Sequence, residues 1–367
     1  MNRLIIVGNG FDLAHGMPTT YSDFLKWYFI QIFTTLENFN FADAAIEVHK
    51  KKLTYFDKKY AGDSIVNCLE KNININTILT EIFSNPFEET PFNKTIPYWF
   101  DFKFPFVKDI CLLFADKNWV DIENMFYKQL LILSKIERND EGRNNAVNLL
   151  NEGMNYLKIK LEEYLSKVEL PKCNKEVLEI INPRLNRINN NIDKKFAILN
   201  FNYTNTISRY LEIMNGDPNY YFPINNIHIH GQINNENQPL IFGFGDEMDD
   251  HYKILEKTNC NGFLDNIKSF GYFRTNNYQS ISTFVNSIDA FEVFICGHSC
   301  GLSDRVMLNM IFEHSNCRSI KIFYHGDAQK NNYKILTQEI SRHFNKKNDM
   351  RLKIVPFENC IPLPQSH

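Results

Sequence analysis

Residues 1–18 read MNRLIIVGNGFDLAHGMP, and this stretch indicates the fold most directly. The apolar run Leu4–Val7 leads straight into Gly8-Asn9-Gly10. A β-branched apolar run that ends in glycines is typical of a buried strand that turns into a phosphate-binding loop. Glycines let the backbone approach an anion and direct its N–H groups at it. The stretch therefore predicts a buried strand followed by a nucleotide site.

Strand and helix patterns alternate again after residue 190. We expect strands at Phe196–Phe201, Ile227–His230, Pro239–Phe242, Ala290–Cys296, Ile320–His325 and Arg351–Phe357, with helices at 204–214, 303–312 and 329–344. Strands separated by helices form a mostly parallel sheet that is covered on both faces. The predicted fold class is therefore α/β, with a doubly wound, mostly parallel, Rossmann-like sheet.

Residues 37–190 lack strand-like alternation and carry helical patterns at 63–71, 77–83, 118–136 and 143–168. A loop between a strand and a helix has about 2–6 residues, so this segment is too long to be one. We predict a helical insertion subdomain at 37–190. The nucleotide-binding α/β domain then consists of residues 1–36 and 191–367, and a helix capped by Thr19 or Thr20 ends its first part near Leu36.

The composition excludes several classes of protein. The chain has 367 residues, of which 44% are hydrophobic, and a net charge of −3, so nucleic acid is not an expected partner. Its eight cysteines include no C-x-x-C pair, and no metal is expected. No segment resembles a signal peptide or a membrane span. We expect a reduced, cytoplasmic protein without a membrane partner, and a homo-oligomer is compatible with the sequence.

Glycines and polar residues follow several predicted strands at the point where each strand ends. They are Gly8-Asn9-Gly10, Asn202-Tyr203, His230-Gly231, Gly243 and Gly297-His298-Ser299. Ligands of parallel sheets bind beyond the carboxyl ends of the strands. The Asn202 amide and the His230 imidazole at one edge would suit polar chemistry on a sugar ring. The ordinary alternatives are a helix-capping asparagine and a structural histidine.

Two common nucleotide sites are disfavoured by motif. Leu13 stands where the dinucleotide fingerprint needs its third glycine, and no G-K-[ST] follows the glycines. Gly297–Gly301 does match the G-x-S-x-G elbow of serine hydrolases. The triad would then need Asp327 and His343, in a short remaining stretch. A serine hydrolase that uses Ser299 is one alternative.

The segment Leu4–Phe24 closely resembles the opening signature of the bacteriophage abortive-infection AbiH family. Trp119–Glu123 and Cys296–Asp304 resemble later signatures of that family. The resemblance implies antiphage defence through growth arrest or death of the host, with a phage-derived trigger.

The same landmarks are similar to a sirtuin-like domain. Gly8–Asp12 and Gly16-Met17-Pro18 keep the spacing of the sirtuin G-A-G-x-S and G-I-P signatures. Asn200–Thr204, His230-Gly231 and Gly297–Ser299 resemble the later sirtuin signatures. The departures are Asn9, Asp12 and Thr204, and the zinc-binding cysteine quartet of the deacetylases is missing. The resemblance therefore implies the defence-associated branch, whose members cleave NAD.

The resemblance implies that NAD is the substrate and that its nicotinamide–ribose bond is hydrolysed. Asn202 would hold a ribose hydroxyl or the attacking water, His230 would accept a proton, and Asp12 would stabilise the ribosyl cation. The pyrophosphate would lie on the amides of Gly8 to Phe11. The expected NAD-binding residues are Gly8, Asn9, Gly10, Phe11, Gly16, Pro18, Gly231, Gly297, His298, Ser299 and Asp304.

Other functions stay open at this point. The chain could sense a nucleotide without cleaving it and engage a partner through the insertion. A nuclease toxin is a weaker alternative, because neither a metal-binding carboxylate cluster nor a basic groove is evident in the sequence. The sequence also does not distinguish NAD hydrolysis from ADP-ribosyl transfer, since both pass through the same ribosyl cation.

Overall fold

A computed structural model describes residues 1–36, 40–48, 100–113, 118–136, 140–182, 194–217 and 224–366. The helices predicted at 63–71 and 77–83 lie outside these residues. The chain groups into two compact units. Unit 1 consists of Met1–Thr19, Leu165–Lys257 and Asn266–His367, and unit 2 consists of Thr20–Tyr164 and Thr258–Asp265.

Strands and helices are numbered along the chain. The described strands are β1 (Asn2–Val7), β2 (Phe41–Ala42), β3 (Ile46–Val48), β4 (Phe100–Phe102), β5 (Phe196–Asn200), β6 (Ile224–His228), β7 (Phe291–Cys296) and β8 (Cys317–Phe323). The described α-helices are α1 (Asn9–Ala14), α2 (Tyr21–Leu36), α3 (Pro105–Leu113), α4 (Trp119–Lys135), α5 (Asp140–Leu165), α6 (Lys175–Ile181), α7 (Thr206–Gly216), α8 (Tyr252–Lys257), α9 (Lys268–Tyr272), α10 (Asn277–Asn286), α11 (Arg305–Phe312), α12 (Tyr333–Ser341) and α13 (Lys347–Lys353).

The sheet of unit 1 has five strands in the order β6-β5-β1-β7-β8. Every neighbouring pair in it is parallel. Strand β1 lies in the centre, where Ile5 pairs with Ile198 on one side and with Phe294 on the other. The strand order reverses between β1 and β7. This is the topological switch point, where open α/β sheets bind their ligands.

Successive residues of β1 explain why both faces of this sheet are covered. Leu4 and Ile6 belong to an apolar cluster that includes residues of α10, α11 and α12. Ile5 and Val7 belong to a second cluster, with residues of α1, α6 and α7. Because side chains alternate across a strand, a strand buried on both faces must be apolar throughout. The prediction of a doubly wound α/β sheet is confirmed.

Unit 2 contains α2, α3, α4 and α5 up to Tyr164, so the helices predicted at 118–136 and 143–168 are confirmed. It also contains a small antiparallel sheet, β2-β3-β4, that was not predicted from the sequence. Helix α2 groups with unit 2, whereas residues 1–36 were all expected in the α/β domain. The domain boundaries at 36/37 and 190/191 stay predictions.

Two predicted strands are wrong. Residues Pro239–Phe242 form no regular strand, and only the neighbouring Phe244 makes an isolated bridge, to Ile267. The segment predicted as a strand at 351–357 begins inside helix α13, and its one bridge is from Ile354 to Ile320. Proline has no N–H for a strand ladder, and each segment contains one. Among the described helices, none combines the length and the hydrophobicity that a membrane span requires.

Candidate functional site

The turns after β1 and β7 pack against each other at the switch point. A β-carbon on Gly8 would lie 2.6 Å from His298 Cα, and one on Gly10 would lie 2.7 Å from the Gly297 carbonyl oxygen. Gly297 has a φ of +72°, and a β-carbon there would lie 2.0 Å from Phe11 N. Glycine is needed at these positions because the two backbones touch and one of them turns through the left-handed region.

This contact uses the N–H groups that were predicted from the sequence to bind a pyrophosphate. Gly10 N–H donates to the Gly297 carbonyl at 2.8 Å, and Phe11 N–H donates to the Gly8 carbonyl at 2.8 Å. Gly8 N–H donates to the Cys296 carbonyl at 3.3 Å. These donors are therefore already paired with the backbone. The phosphate-binding role of Gly8 to Phe11 stays a prediction, and it would require these bonds to exchange partners.

A first polar group, which we call the Asp12 group, consists of Asp12, Asn202 and Thr204. The Thr204 hydroxyl donates to Asp12 Oδ2 at 2.6 Å, and Asp12 Oδ1 is buried without a hydrogen-bond partner among the described residues. Asn202 Nδ2 donates to the Gly8 carbonyl at 3.1 Å. Burial raises the pKa of Asp12 to about 6, although the Thr204 hydrogen bond lowers it. Asp12 is thus a carboxyl group that can exchange a proton near neutral pH.

A second polar group, the Asp304 cluster, consists of Asp304, Lys268, His230, His298 and Tyr272. Asp304 Oδ1 lies 2.8 Å from Lys268 Nζ and 3.1 Å from His230 Nε2. Asp304 Oδ2 lies 3.6 Å from His298 Nε2, and the Tyr272 hydroxyl lies 3.3 Å from His230 Nε2. All five side chains are buried. The cluster brings together residues that follow β6 and β7 and residues of α9.

The charges of the Asp304 cluster follow from burial and from these contacts. Burial alone would raise the pKa of Asp304, but the Lys268 ammonium and then His230 outweigh it and hold that pKa well below its usual range. Burial, followed by the charge of Lys268, lowers the pKa of His230. Burial also lowers the pKa of His298 to about 4. At neutral pH the cluster therefore holds one ion pair and two neutral imidazoles.

The tautomer of His298 is set by the turn in which it lies. Cys300 N–H donates to His298 Nδ1 at 3.0 Å, so neutral His298 carries its proton on Nε2 and directs it toward Asp304. Cys300 itself has a φ of +54°. The backbone after β7 thus orients one imidazole toward the same carboxylate that binds Lys268.

Phe201 and the first glycine turn link the two polar groups. The Phe201 ring centroid lies 5.0 Å from that of His230 and 4.2 Å from that of His298. Gly8 contacts His298 on one side and accepts the Asn202 hydrogen bond on the other. Among the described residues, no hydrogen bond joins Asn202 to His230. The two predicted catalytic side chains thus lie in neighbouring groups, and their shared role stays a prediction.

Both polar groups fall within a stretch of the chain that is similar to a known family. A family model described as bacteriophage abortive infection AbiH matches residues 4–325. The chain belongs to the AbiH family. This places it in antiphage abortive infection. No curated protein matches the sequence.

The other predicted NAD-binding residues of this AbiH protein lie around the two groups. Asn9 Nδ2 donates to the Thr19 carbonyl at 3.1 Å, and Phe11 packs in the core against His15. Gly231 has a φ of +84°, and a β-carbon there would lie 2.2 Å from the Pro239 carbonyl oxygen. Three of the predicted residues are exposed, namely Gly16, Pro18 and Ser299. Their roles stay predictions.

Sequence reasoning missed Lys268 and Tyr272 of the candidate site. Both lie on α9, which follows no strand and carries no motif. Lys268 stands in the unremarkable stretch Asn266–Phe270, yet only 1% of it is exposed. Lysine is almost never fully buried without a partner, but its burial is not visible in one sequence. Asp304, in contrast, was identified from its place in the segment Cys296–Asp304.

The serine-hydrolase constellation does not assemble in the described part of this AbiH protein. His343 Nε2 bonds the Cys300 carbonyl at 2.7 Å, and Asp327 accepts the N–H groups of Gln329 and Lys330. Neither predicted triad partner therefore hydrogen-bonds Ser299. No group of three or more His, Cys, Asp or Glu residues in the described ranges could hold a metal ion.

Proposed function

We propose that this AbiH protein hydrolyses NAD at the nicotinamide–ribose bond and thereby depletes the cofactor of an infected host. The observation that carries the proposal is the buried His230–Asp304 contact of 3.1 Å beside the switch point of the sheet. A carboxylate that contacts an imidazole orients the ring and stabilises the imidazolium formed when the ring accepts a proton. The similarity of the site residues to sirtuin signatures supports NAD as the substrate.

The proposed reaction balances with water as the only co-reactant. The bond between ribose C1′ and the nicotinamide nitrogen breaks, and nicotinamide leaves with the bonding electron pair. Water adds to C1′ and gives ADP-ribose, and its proton passes to His230. Ionised Asp12 would favour the developing ribosyl cation, and Asn202 would hold a ribose hydroxyl or the water. A positioned base contributes about 10²–10⁴-fold to such a rate.

A direct assay tests the proposal. Purified full-length protein is incubated with NAD, with and without phage lysate, and released nicotinamide and ADP-ribose are quantified by chromatography. His230→Ala should lower the rate by about 10²–10⁴-fold, and Asn202→Ala should also reduce it. His251→Ala is the matched control, since that side chain is 59% exposed and pairs with nearby Asp249.

Three outcomes would contradict this function. Activity that persists in both Asn202→Ala and His230→Ala would remove these residues from the reaction. Covalent labelling of Ser299 by a fluorophosphonate would favour a serine hydrolase instead. Nicotinamide release with ADP-ribose attached to protein would indicate transfer and would replace hydrolysis in the proposal.

A second candidate function is nucleotide sensing without turnover. One observation favours it: the N–H groups of Gly8, Gly10 and Phe11 are paired with backbone carbonyls, so a pyrophosphate would bind them only if these turns rearrange, and that rearrangement would be the signal to a partner. Calorimetry with NAD and ADP-ribose distinguishes the two functions. Tight binding without nicotinamide release, even in the presence of phage lysate, would favour the sensor.

A further inference from the structure

Lys268 occupies an unusual position for a lysine. It begins helix α9, and its ammonium group lies 2.8 Å from Asp304 Oδ1 and 3.4 Å from the Ser303 hydroxyl. The backbone of Gly245 also lies against it, because a β-carbon on Gly245 would be 3.3 Å from Lys268 Cβ. A long flexible side chain is thus held in one place by packing and by a carboxylate.

Such a pair is poorly explained as a stabilising feature of the fold. Moving a lysine and an aspartate out of water costs several kcal/mol for each ion, and their attraction seldom returns more than that. Apolar residues of similar volume would serve packing equally well. Buried titratable groups whose pKa values are strongly shifted by a specific charged partner cluster at functional sites.

The charges around Asp304 indicate what the lysine does. Among the described residues, the other titratable groups at the carboxylate are the imidazoles of His230 and His298, and the Tyr272 hydroxyl contacts His230. A buried carboxylate flanked by imidazoles draws a proton onto one of them. An imidazolium cannot accept a proton from water or a hydroxyl group. With Lys268 present, the negative charge is balanced while both imidazoles stay neutral.

We infer that Lys268 is a positioning residue of this AbiH site: it binds Asp304 and balances its charge, so that His230 stays neutral and able to accept a proton. The inference rests on the proposed function, because it concerns the base of that reaction. Lys268 acts through Asp304 and does not itself touch the reacting atoms. His343 also lies near this group, where it bonds the Cys300 carbonyl, and because burial lowers its pKa it adds no charge at neutral pH.

The test separates the charge of Lys268 from its packing. Lys268→Met removes the charge, Lys268→Gln is a second neutral variant, and Lys268→Arg keeps the charge. In each full-length variant, histidine ring titrations are followed by NMR, and kcat/KM for nicotinamide release is measured from pH 5 to 9. Lys253→Met is the control, since Lys253 pairs with the exposed Asp250.

We expect the neutral variants to move the acid limb of kcat/KM and the titration of His230 to higher pH. A shift of one pH unit lowers kcat/KM by about tenfold at pH values well below both pKa values and much less at pH 8. Lys268→Arg and Lys253→Met should keep the limb where it is. If Lys268→Met does not fold, Lys268→Gln tests the loss of the charge in the same two measurements.

A uniform loss of activity at every pH, with an unmoved histidine titration, would overturn the inference and leave Lys268 a structural residue. The NMR titration does not depend on turnover. A wild-type protein that releases no nicotinamide would therefore contradict the proposed function, whereas an unshifted His230 titration in Lys268→Met would contradict the positioning role.

Discussion

Single residues of the Asp304 cluster contribute to stability as partners of each other. Asp304→Asn removes the carboxylate that contacts the buried Lys268 ammonium at 2.8 Å, so we expect it to lower the free energy of unfolding by about 3–5 kcal/mol. Urea denaturation at pH 7.5 measures this change. Asp250→Asn is the control, because Asp250 and Lys253 form an exposed pair at 3.6 Å, and we expect no measurable change. Equal effects of the two substitutions would contradict the prediction.

In unit 2, Asp43 is a single residue with several partners. Its Oδ2 accepts the hydroxyls of Tyr28 and Tyr156, and its Oδ1 accepts the N–H groups of Ala45 and Ile46 at 2.8 and 2.9 Å. Burial raises the pKa of both tyrosines, and the nearby Asp43 carboxylate raises it further, so their hydroxyls act as donors. The carboxylate thus holds the turn between β2 and β3 to helices α2 and α5.

We expect Asp43→Ala to lower the free energy of unfolding by about 2–4 kcal/mol, because buried donors lose their acceptor. Thermal and urea denaturation of the full chain measure it. Asp101→Ala is the matched control in the same sheet. Asp101 is exposed and lies opposite Glu47, so its removal relieves a like-charge pair and should be neutral or slightly stabilising. An unchanged stability of Asp43→Ala would contradict the role of this carboxylate.

At the scale of the elements, the contact between the turns after β1 and β7 determines how closely the ends of these two strands approach each other. Gly297→Ala would combine a positive φ with a β-carbon 2.0 Å from Phe11 N. We expect it to lower the free energy of unfolding by about 2–5 kcal/mol. Gly216→Ala is the control, since no described atom lies within 4 Å of a β-carbon there.

Gly216 ends helix α7, so its replacement should be neutral or stabilise the protein by up to about 1 kcal/mol. Both variants are compared by urea denaturation at one pH. A Gly297→Ala protein as stable as the Gly216→Ala protein would mean that the two turns move apart without loss.

The same elements show what the sequence could predict. Strand β1 was predictable because Leu4–Val7 is apolar on both faces and ends in glycines, and these are local signals. Pro239–Phe242 is also apolar, but a short apolar run does not reveal whether a neighbouring strand will pair with it. The antiparallel sheet β2-β3-β4 depends on pairing Ile46 with Phe102, which are far apart in the chain.

The candidate site was predictable to a similar extent. Asn202, His230 and Asp304 were found because they follow strands or lie in recognisable segments. Lys268 was not found, because a lysine in a loop-like stretch carries no sign of its burial. The division of the polar residues into two groups was also unpredictable, since it depends on whether side chains at a strand end point to one side or the other.

At the scale of the whole molecule, several buried histidines make stability depend on pH. Burial lowers the pKa of His15, His228, His230, His298 and His343. In the unfolded chain these groups titrate near 6.5, so between that value and their folded pKa the unfolded state binds more protons. Their contribution to stability is therefore present above about pH 6.5 and is lost as the pH falls.

Two aspartates modify this dependence in opposite directions. The depressed pKa of Asp304 adds stability that is lost only under strongly acidic conditions. The pKa of Asp12, raised to about 6, adds stability at low pH that is lost as the pH rises through that value.

Since the histidines outnumber Asp12, we expect the free energy of unfolding to fall from pH 7.5 to 5.5. Each group contributes at most about 1.4 kcal/mol per pH unit. Urea denaturation across this range measures it, and constant or rising stability would contradict the prediction.

The central position of β1 also affects how the protein is made. Asn2 accepts a hydrogen bond from Lys195 across 193 residues of chain and donates one to Ala290 across 288. During synthesis, β1 therefore emerges from the ribosome long before either of its neighbours exists. Its apolar residues Leu4–Val7 have no neighbouring strand to pair with until then, and contacts between residues so distant in sequence form slowly. We conclude that this apolar segment of the nascent chain stays exposed to solvent for an extended period. During that period chaperones would bind it most readily.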